Sequence, residues 1–468
     1  MPVVVGVDSS TSACKVEVRD LDSGQLVGSG RAPHPPTTPP CSEQDPAAWW
    51  AAFQQAAAQA GVGDRGGPAA IAVAGQQHGL VALDATGAVI RPAKLWNDTE
   101  SADDADALVA ALGAEAWATA CGSVPVASFT ITKLRWLRRC EPAAFERIAR
   151  VGLPHDWLTH RLTGAWTTDR GDASGTGWWS PTQDGYRVDL LDLVDAEVGW
   201  LPEVLGPTEA AGEWTDGGGA LVAAGTGDNM AAALGLGLRP GDLALSLGTS
   251  GTAFTVAEVP TADPSGSVAG FADATGRFLP LVCTLNATKV TDTVARLLGV
   301  ATSELDQLAL EAEPGAGGLT LVPHLDGERT PNRPHATGSL RGLRSDVGRD
   351  QLARAAFEGV VCNLLEGAEQ LPDGDGRVVL IGGGALSEAY RRIVADLVGR
   401  PVVVPDAHEL VALGAAVQAA VAVTGSSFDG VASAWNLHAG RTIEPDLTVD
   451  AASIRGRYAD VVARDGED

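Results

Sequence analysis

The sequence predicts a mixed α/β protein of two domains with related architecture, and three observations carry that expectation. The chain has 468 residues, more than a single hydrophobic core ordinarily serves. A strand, a short polar turn and a second strand open it, and a unit of the same kind recurs after residue 240. Each of these units heads a segment in which strand and helix patterns are mixed.

The first unit begins with Val3, Val5 and Val7 in alternation, turns through Asp8, Ser9, Ser10, Thr11 and Ser12, and resumes at Val16 and Val18. Asp22, Ser23 and Gly24 then turn the chain into Leu26 and Val27, so these strands are expected to run antiparallel. A helix starts at Asp45 as cap with Pro46 at its first position, followed by Trp49, Trp50 and Phe53. The apolar run 69–74 reads as a buried strand that ends in Gly75, Gln76, Gln77, His78 and Gly79. Another strand over 221–224 passes through Gly225, Thr226 and Gly227 into Asp228, Asn229 and an alanine-rich helix. Gly235, Gly237 and Pro240 then punctuate the chain, which sets the expected domains at 1–238 and 239–468. The second unit places Leu243, Leu245 and Leu247 before a turn at Gly248, Thr249, Ser250 and Gly251. Late in the chain, an apolar run over 378–381 meets Gly382, Gly383 and Gly384, with a helix from about Ser387.

Composition narrows the classes of function. Hydrophobic residues make up 45% and charged residues 20%, an ordinary globular balance. The formal charge of −26 argues against nucleic acid and anionic membrane as partners, because no basic stripe is present to neutralise phosphates. The six cysteines are scattered singly and read as small core residues in a reducing compartment. The first residues carry no basic, cleavable apolar leader, and no apolar run is long enough to span a bilayer, so a cytoplasmic location is expected.

Three turns have the makings of phosphate sites: exposed amides, small side chains and hydroxyl donors. The first, reading DSSTSACK from Asp8 to Lys15, adds an acid suited to magnesium and a cation within reach of a phosphoryl group. The same residues also make an ordinary hairpin turn. The second, LSLGTSG, offers the kit without the acid, and the third, the Gly382, Gly383 and Gly384 cluster, can admit a nucleoside against bare backbone. Asp228, at a helix N-terminus, reads either as a cap or as a general base kept ionised by the helix dipole. Gln77 and His78 at a strand end suit sugar hydroxyls, and His78 equally suits a structural role. Trp96, Asn97 and Asp98 supply an aromatic and polar set that also serves as a plain turn.

Together these segments resemble the FGGY family of carbohydrate kinases over nearly the whole chain. The stretch SFTITKLRW from Ser128 to Trp136 is similar to one family signature; the stretch from Gly338 through Leu343 to Glu358 is similar to the other. Within the family, the segments around Ser42, Trp96, Asp228 and Glu328 are most similar to xylulokinases. The resemblance implies an α/β fold of two actin-like (ribonuclease H-like) ATPase domains with an active-site cleft between them, with ATP as co-substrate. It implies Asp228 as the catalytic aspartate and Asp8 as the acid near Mg2+. Thr11, Ser12 and Lys15 fall on the first phosphate motif, Gly248 and Thr249 on the second, and Gly383, Gly384 and Ser387 on the adenosine motif. Gln77 and His78 match the sugar-contacting pair, and Asn229 lies beside the base. Ser10 departs from the family's usual glycine in the first phosphate turn, and Gln77 stands where some xylulokinases carry methionine.

The expected reaction is transfer of the ATP γ-phosphoryl group to the 5-hydroxyl of D-xylulose. The rivals are an FGGY kinase for another ketose or polyol (ribulose, a deoxyketose or a glycerol-like acceptor) and a non-sugar actin-like ATPase. Sugar and ATP are the expected partners, and a homodimer is in keeping with the family.

Overall fold

The computed structural model describes residues 2–465 apart from Arg65. The chain divides into two compact units. The first comprises Met1–Leu238, Glu258–Leu279 and Ala407–His438; the second comprises Arg239–Ala257, Pro280–Asp406 and Ala439–Asp468. The chain thus crosses at residue 238 and later returns two segments to the first unit. Those returns could not be read from local pattern, because they depend on which distant surface each segment covers.

In the first unit, the sheet runs in the order Ala210–Glu213, Leu221–Ala223, Ala70–Gly75, Val3–Ser9, Ala13–Asp20, Leu26–Pro33. The alternating valines of the opening strand are buried on both faces, which is why the run is almost wholly apolar. Val3–Ser9 pairs antiparallel with Ala13–Asp20 and parallel with Ala70–Gly75. The short strand Thr226–Gly227 joins the same sheet beside Ala70–Gly75, also parallel. The register sets Asp8 opposite Lys15 and beside Ala74, and sets Thr226 beside Ala74 in turn. The carboxyl ends of three parallel strands therefore finish at one level, which is where open α/β sheets place their ligands.

Helices cover both faces of this sheet. Pro46–Ala60 is capped by Asp45, whose side chain accepts the Ala47 N–H, with Pro46 at its first position. The returning helix Leu410–Thr424 is apolar all round because it is buried in the core. It lies so close to the opening strand that a Cβ on Gly6 would sit 1.8 Å from the Ala412 carbonyl oxygen. Among the described residues, no single helix is long and apolar enough to cross a membrane.

The second unit repeats the plan. Leu243–Leu247 pairs antiparallel with Gly251–Thr255 and parallel with Val378–Ile381. Val402–Pro405 extends the sheet, pairing in parallel at Val402 and Val403, and Gly440–Ile443 closes that edge antiparallel. The register aligns Ser246 with Ile381, so the Gly248 turn and the Gly382 cluster leave the sheet at one end. The helix Ala451–Asp465 packs on this unit: its Ile454, Tyr458, Val461 and Val462 are buried, and Tyr458 donates to Asn363.

The cysteines meet expectation only in part. Cys14, Cys121 and Cys362 are buried and Cys283 half-buried, but Cys41 and Cys140 are exposed, and all six are free thiols.

Candidate active site

In the first unit, the strand ends bring Asp8, Lys15, Gln77, Asp228 and Asn229 into one region. Asp8 is buried; its Oδ2 lies 3.2 Å from Lys15 Nζ, and Ser10 Oγ donates a short hydrogen bond to its Oδ1. Burial pushes the Asp8 carboxyl up, and the Lys15 ammonium pulls against that rise. Lys15 also pairs with Glu409 at 2.7 Å, an acid of the returning segment that sequence spacing gave no reason to associate with the turn. Ser10 is not among the residues with positive φ, so this turn does not need the family's glycine conformation here. The turn is pinned from outside by Gln44, whose Nε2 donates to the Thr11 carbonyl, and by His34, whose ring nitrogen lies 2.9 Å from the Ser10 carbonyl.

Asp228 is the first residue of the helix Asp228–Gly235, and Gly227 occupies the cap position, so this aspartate sits one residue inside the cap. Its Oδ1 accepts the Asn229 N–H at 2.9 Å and the Asn229 Nδ2 at 3.2 Å. The same Asn229 amide donates to Gln77 Oε1 at 2.7 Å, linking the helix start to the end of the Ala70–Gly75 strand. The expectation that the helix dipole keeps Asp228 ionised is corrected. Although the side chain retains some solvent access, lost solvation pushes its pKa up to about 8, and the negative charges of Asp8 and Asp172 add to the rise. The dipole is worth a fraction of what removal from water costs a carboxylate.

His78 follows at φ 66, a left-handed backbone that a non-glycine residue rarely holds. Its Nδ1 lies 2.7 Å from the Gly175 carbonyl, and its ring stacks on Phe129 at 4.9 Å between centroids. Strained backbone of this kind concentrates at ligand sites. Trp96 is 38% exposed and donates from Nε1 to Thr11 Oγ1 at 2.8 Å, so it stands beside the first phosphate turn.

Asp98 is elsewhere engaged. It is fully buried, accepts the Ser42 N–H at 2.8 Å, and lies 3.1 Å from Lys94 Nζ. Cys41, Glu43, Asp98 and Glu100 are grouped closely enough to suggest a metal centre. Lys94 already supplies the cation: its Nζ lies 3.0 Å from Glu43, 3.1 Å from Asp98 and 2.5 Å from Glu100, and 3.8 Å from the Trp136 ring centroid. Asp98, expected with Trp96 at the substrate, instead has its carboxylate turned to the Ser42 N–H and Lys94.

In the second unit, the glycine cluster meets the Gly248 turn. The Gly248 carbonyl accepts the Thr288 N–H and the Thr249 carbonyl accepts the Ala287 N–H, tying the turn to the start of the helix Thr288–Leu298. A Cβ on Gly384 would come 2.7 Å from Leu247 Cβ, so only glycine lets the cluster close on the strand before the turn. A cavity of about 440 Å³ opens here, lined among others by Gly383, Gly384, Ser387, Leu386, Phe357 and Tyr390. Ser387 caps the helix Glu388–Val398 through the Tyr390 N–H and hydrogen-bonds Asp306, a wall residue that no sequence pattern pointed to. The volume and the mix of bare backbone, aromatic rings and hydroxyls suit a nucleoside.

Residues 3–235 match the model of the FGGY family of carbohydrate kinases, N-terminal domain, and residues 243–423 match that family's C-terminal domain. The chain is 52% identical to a xylulose kinase of Streptomyces coelicolor over 95% of its own length and 92% of the relative's. It is 35% identical to a xylulose kinase of Escherichia coli over 85% of each chain. Among solved structures, a xylulose kinase from Bifidobacterium adolescentis aligns with a TM-score of 0.86 at 41% identity, covering 98% of this chain and 99% of that one. A gluconate kinase from Lactobacillus acidophilus aligns at 0.92 over 100% of this chain and 98% of that one with 22% identity, a likeness of fold alone.

Proposed function

The chain belongs to the FGGY family of carbohydrate kinases, with that family's two-domain, actin-like α/β fold, and on that premise we propose that it phosphorylates D-xylulose at its 5-hydroxyl with ATP. The observation that carries the proposal is the hydrogen-bonded set Gln77, Asn229 and Asp228 at the strand ends that also present Asp8 and Lys15. A phosphoryl acceptor needs a base, hydroxyl partners and charge stabilisation in one place, and these residues supply them.

In this reading Asp228 takes the hydroxyl proton as oxygen attacks phosphorus. A carboxyl pushed up to about 8 titrates about one unit above neutrality, in the range that suits a general base. Gln77, His78 and Asn229 orient the sugar by hydrogen bonds, with Phe129 and Phe271 flanking the His78 ring. Lys15 and the amides of the first turn stabilise charge on the transferring group. The second unit's cavity holds the adenosine, with Gly383 and Gly384 against its face, Ser387 at its wall, and Gly248 and Thr249 at the phosphates.

Asp8 fits a magnesium ion on its donor chemistry: a buried carboxylate that already draws the ammonium of Lys15 and the hydroxyl of Ser10. Asp8 would hold such an ion, which would supply charge neutralisation for the transferring phosphoryl group. The free thiols are in keeping with a cytoplasmic enzyme.

The test is sugar-dependent ADP release across a panel of pentoses, hexoses and polyols. We expect the highest kcat/KM with D-xylulose. A higher value with ribulose, a deoxyketose or glycerol reassigns the substrate, and ADP release indifferent to every sugar would contradict a sugar kinase.

A further inference from the structure

Beneath the proposed base lies a buried charge cluster that the reaction as described does not use. His155, Asp156, Asp169 and Asp172 are all buried side chains. His155 Nδ1 lies 2.7 Å from Asp172 Oδ2; its Nε2 lies 3.3 Å from Asp156 and 3.9 Å from Asp169. Removing four ionisable groups from water is costly, and replacing such clusters with apolar side chains commonly leaves a protein as stable or more so. Fold stability alone is thus a weak reason for this arrangement.

Its location supplies a better one. The His155 side chain fills the space beside the ends of two strands: a Cβ on Gly75 would meet His155 Cβ at 2.9 Å, and one on Gly225 would meet its Cδ2 at 2.7 Å. Asp169 accepts hydrogen bonds from Thr226 Oγ1 and from the backbone N–H groups of Gly171 and Asp172. The cluster thus ties three pieces together: the strand leading to Gln77, the strand leading to Asp228, and the short helix Arg170–Ala173. Asp172 faces the proposed site with its other oxygen. Its Oδ1 has no hydrogen-bond partner and would lie 3.2 Å from a Cβ on Gly227, a point only 2.7 Å from Gln77 Cγ.

We propose that His155 and Asp172 are positioning residues for sugar phosphorylation, holding Gln77 and Asp228 at their working separation and keeping a carboxylate beneath the base. This rests on the reading of Asp228 as the base. The charged neighbours acting on Asp228 are Asp8 from the opening strand and Asp172 from the short helix, with Lys15 paired to Asp8. His155 is itself pushed up to about 9, so it remains an imidazolium and holds Asp172 at neutral pH. Lys15 thus pairs with Asp8 and His155 with Asp172, and Asp172 adds negative charge below Asp228.

The experiment uses the full-length enzyme and compares Asp172→Asn, His155→Gln and the double variant with wild type. Each is assayed for kcat/KM with D-xylulose against pH, for the KM of ATP, and for folding by thermal melt. We expect both single variants to lose about tenfold or more in kcat/KM for sugar, with the ATP KM held within about twofold. The double variant should be no worse than the poorer single one, as for residues acting as a unit. In Asp172→Asn the acid limb of the kcat/KM profile should move to lower pH, since a negative charge has been removed from beneath the base. Loss of stability alone would not move that limb. Wild-type kcat/KM with an unmoved limb in folded Asp172→Asn overturns the proposal. If that variant does not fold, wild-type kcat/KM in His155→Gln overturns it instead. Asp228→Ala separates the two claims: retained turnover there removes the base itself, whereas its loss beside an unaffected Asp172→Asn removes only the positioning role.

Discussion

The two units use one strand plan for unlike work. In both, a hairpin lies beside a parallel strand, and polar or glycine turns leave the sheet at one level. In the first unit those ends carry Asp8 opposite Lys15 and lead into Asp228, above a buried cluster of one histidine and three aspartates. In the second they carry Leu247 opposite Gly251 and lead into bare glycines around an open cavity. The difference teaches that the backbone plan supplies only convergence. What the strands end in sets the chemistry each place offers: paired charges in the first unit, bare backbone and aromatic rings in the second.

That contrast can be broken by substitution. The largest effect is expected at the base: Asp228→Ala should slow sugar phosphorylation by at least about 100-fold while ADP binding, followed by calorimetry, stays intact. Near wild-type turnover would take proton transfer away from the first unit. Next comes Gly384→Val, which forces side-chain bulk against Leu247. Overpacking of about 1.4 kcal/mol corresponds to a tenfold change, so the ATP KM should rise about tenfold with the sugar KM little altered. An equal rise in both would mean that the second unit does more than make room for nucleotide. The smallest effect is expected for Glu409→Gln. Glu409 is 40% exposed and screened by water, so loss of its pairing with Lys15 should change kcat by less than about threefold. A larger change, measured at low and high salt, would show that Lys15 needs a second acid to hold it.

Legibility in the sequence followed the same divide. The hairpins, the glycine cluster and the Asp228 helix start were readable because each is a local pattern of alternation, punctuation or capping. His155, Asp172, Glu409 and Asp306 were not, because the packing of helices and a returning segment bring them in from distant stretches. Asp98 was misleading for the converse reason. It neighbours Trp96 in sequence, yet its carboxylate is turned to Lys94 four residues earlier and buried. The ionisation of Asp228 also escaped local reading. Helix position alone argues for a lowered pKa, whereas lost solvation and two nearby acids, visible only in three dimensions, raise it.

The central claim is that Asp228 works as a base whose carboxyl is held far above the usual aspartate range. A base must be ionised to accept a proton, so activity should be lost as pH falls through its pKa. The direct measurement is kcat/KM for D-xylulose against pH in wild type and Asp228→Ala, with ATP saturating. An acid limb near pH 8 is expected in wild type and none in the residual activity of the variant. A wild-type limb near pH 4, or the same limb in both proteins, would contradict it.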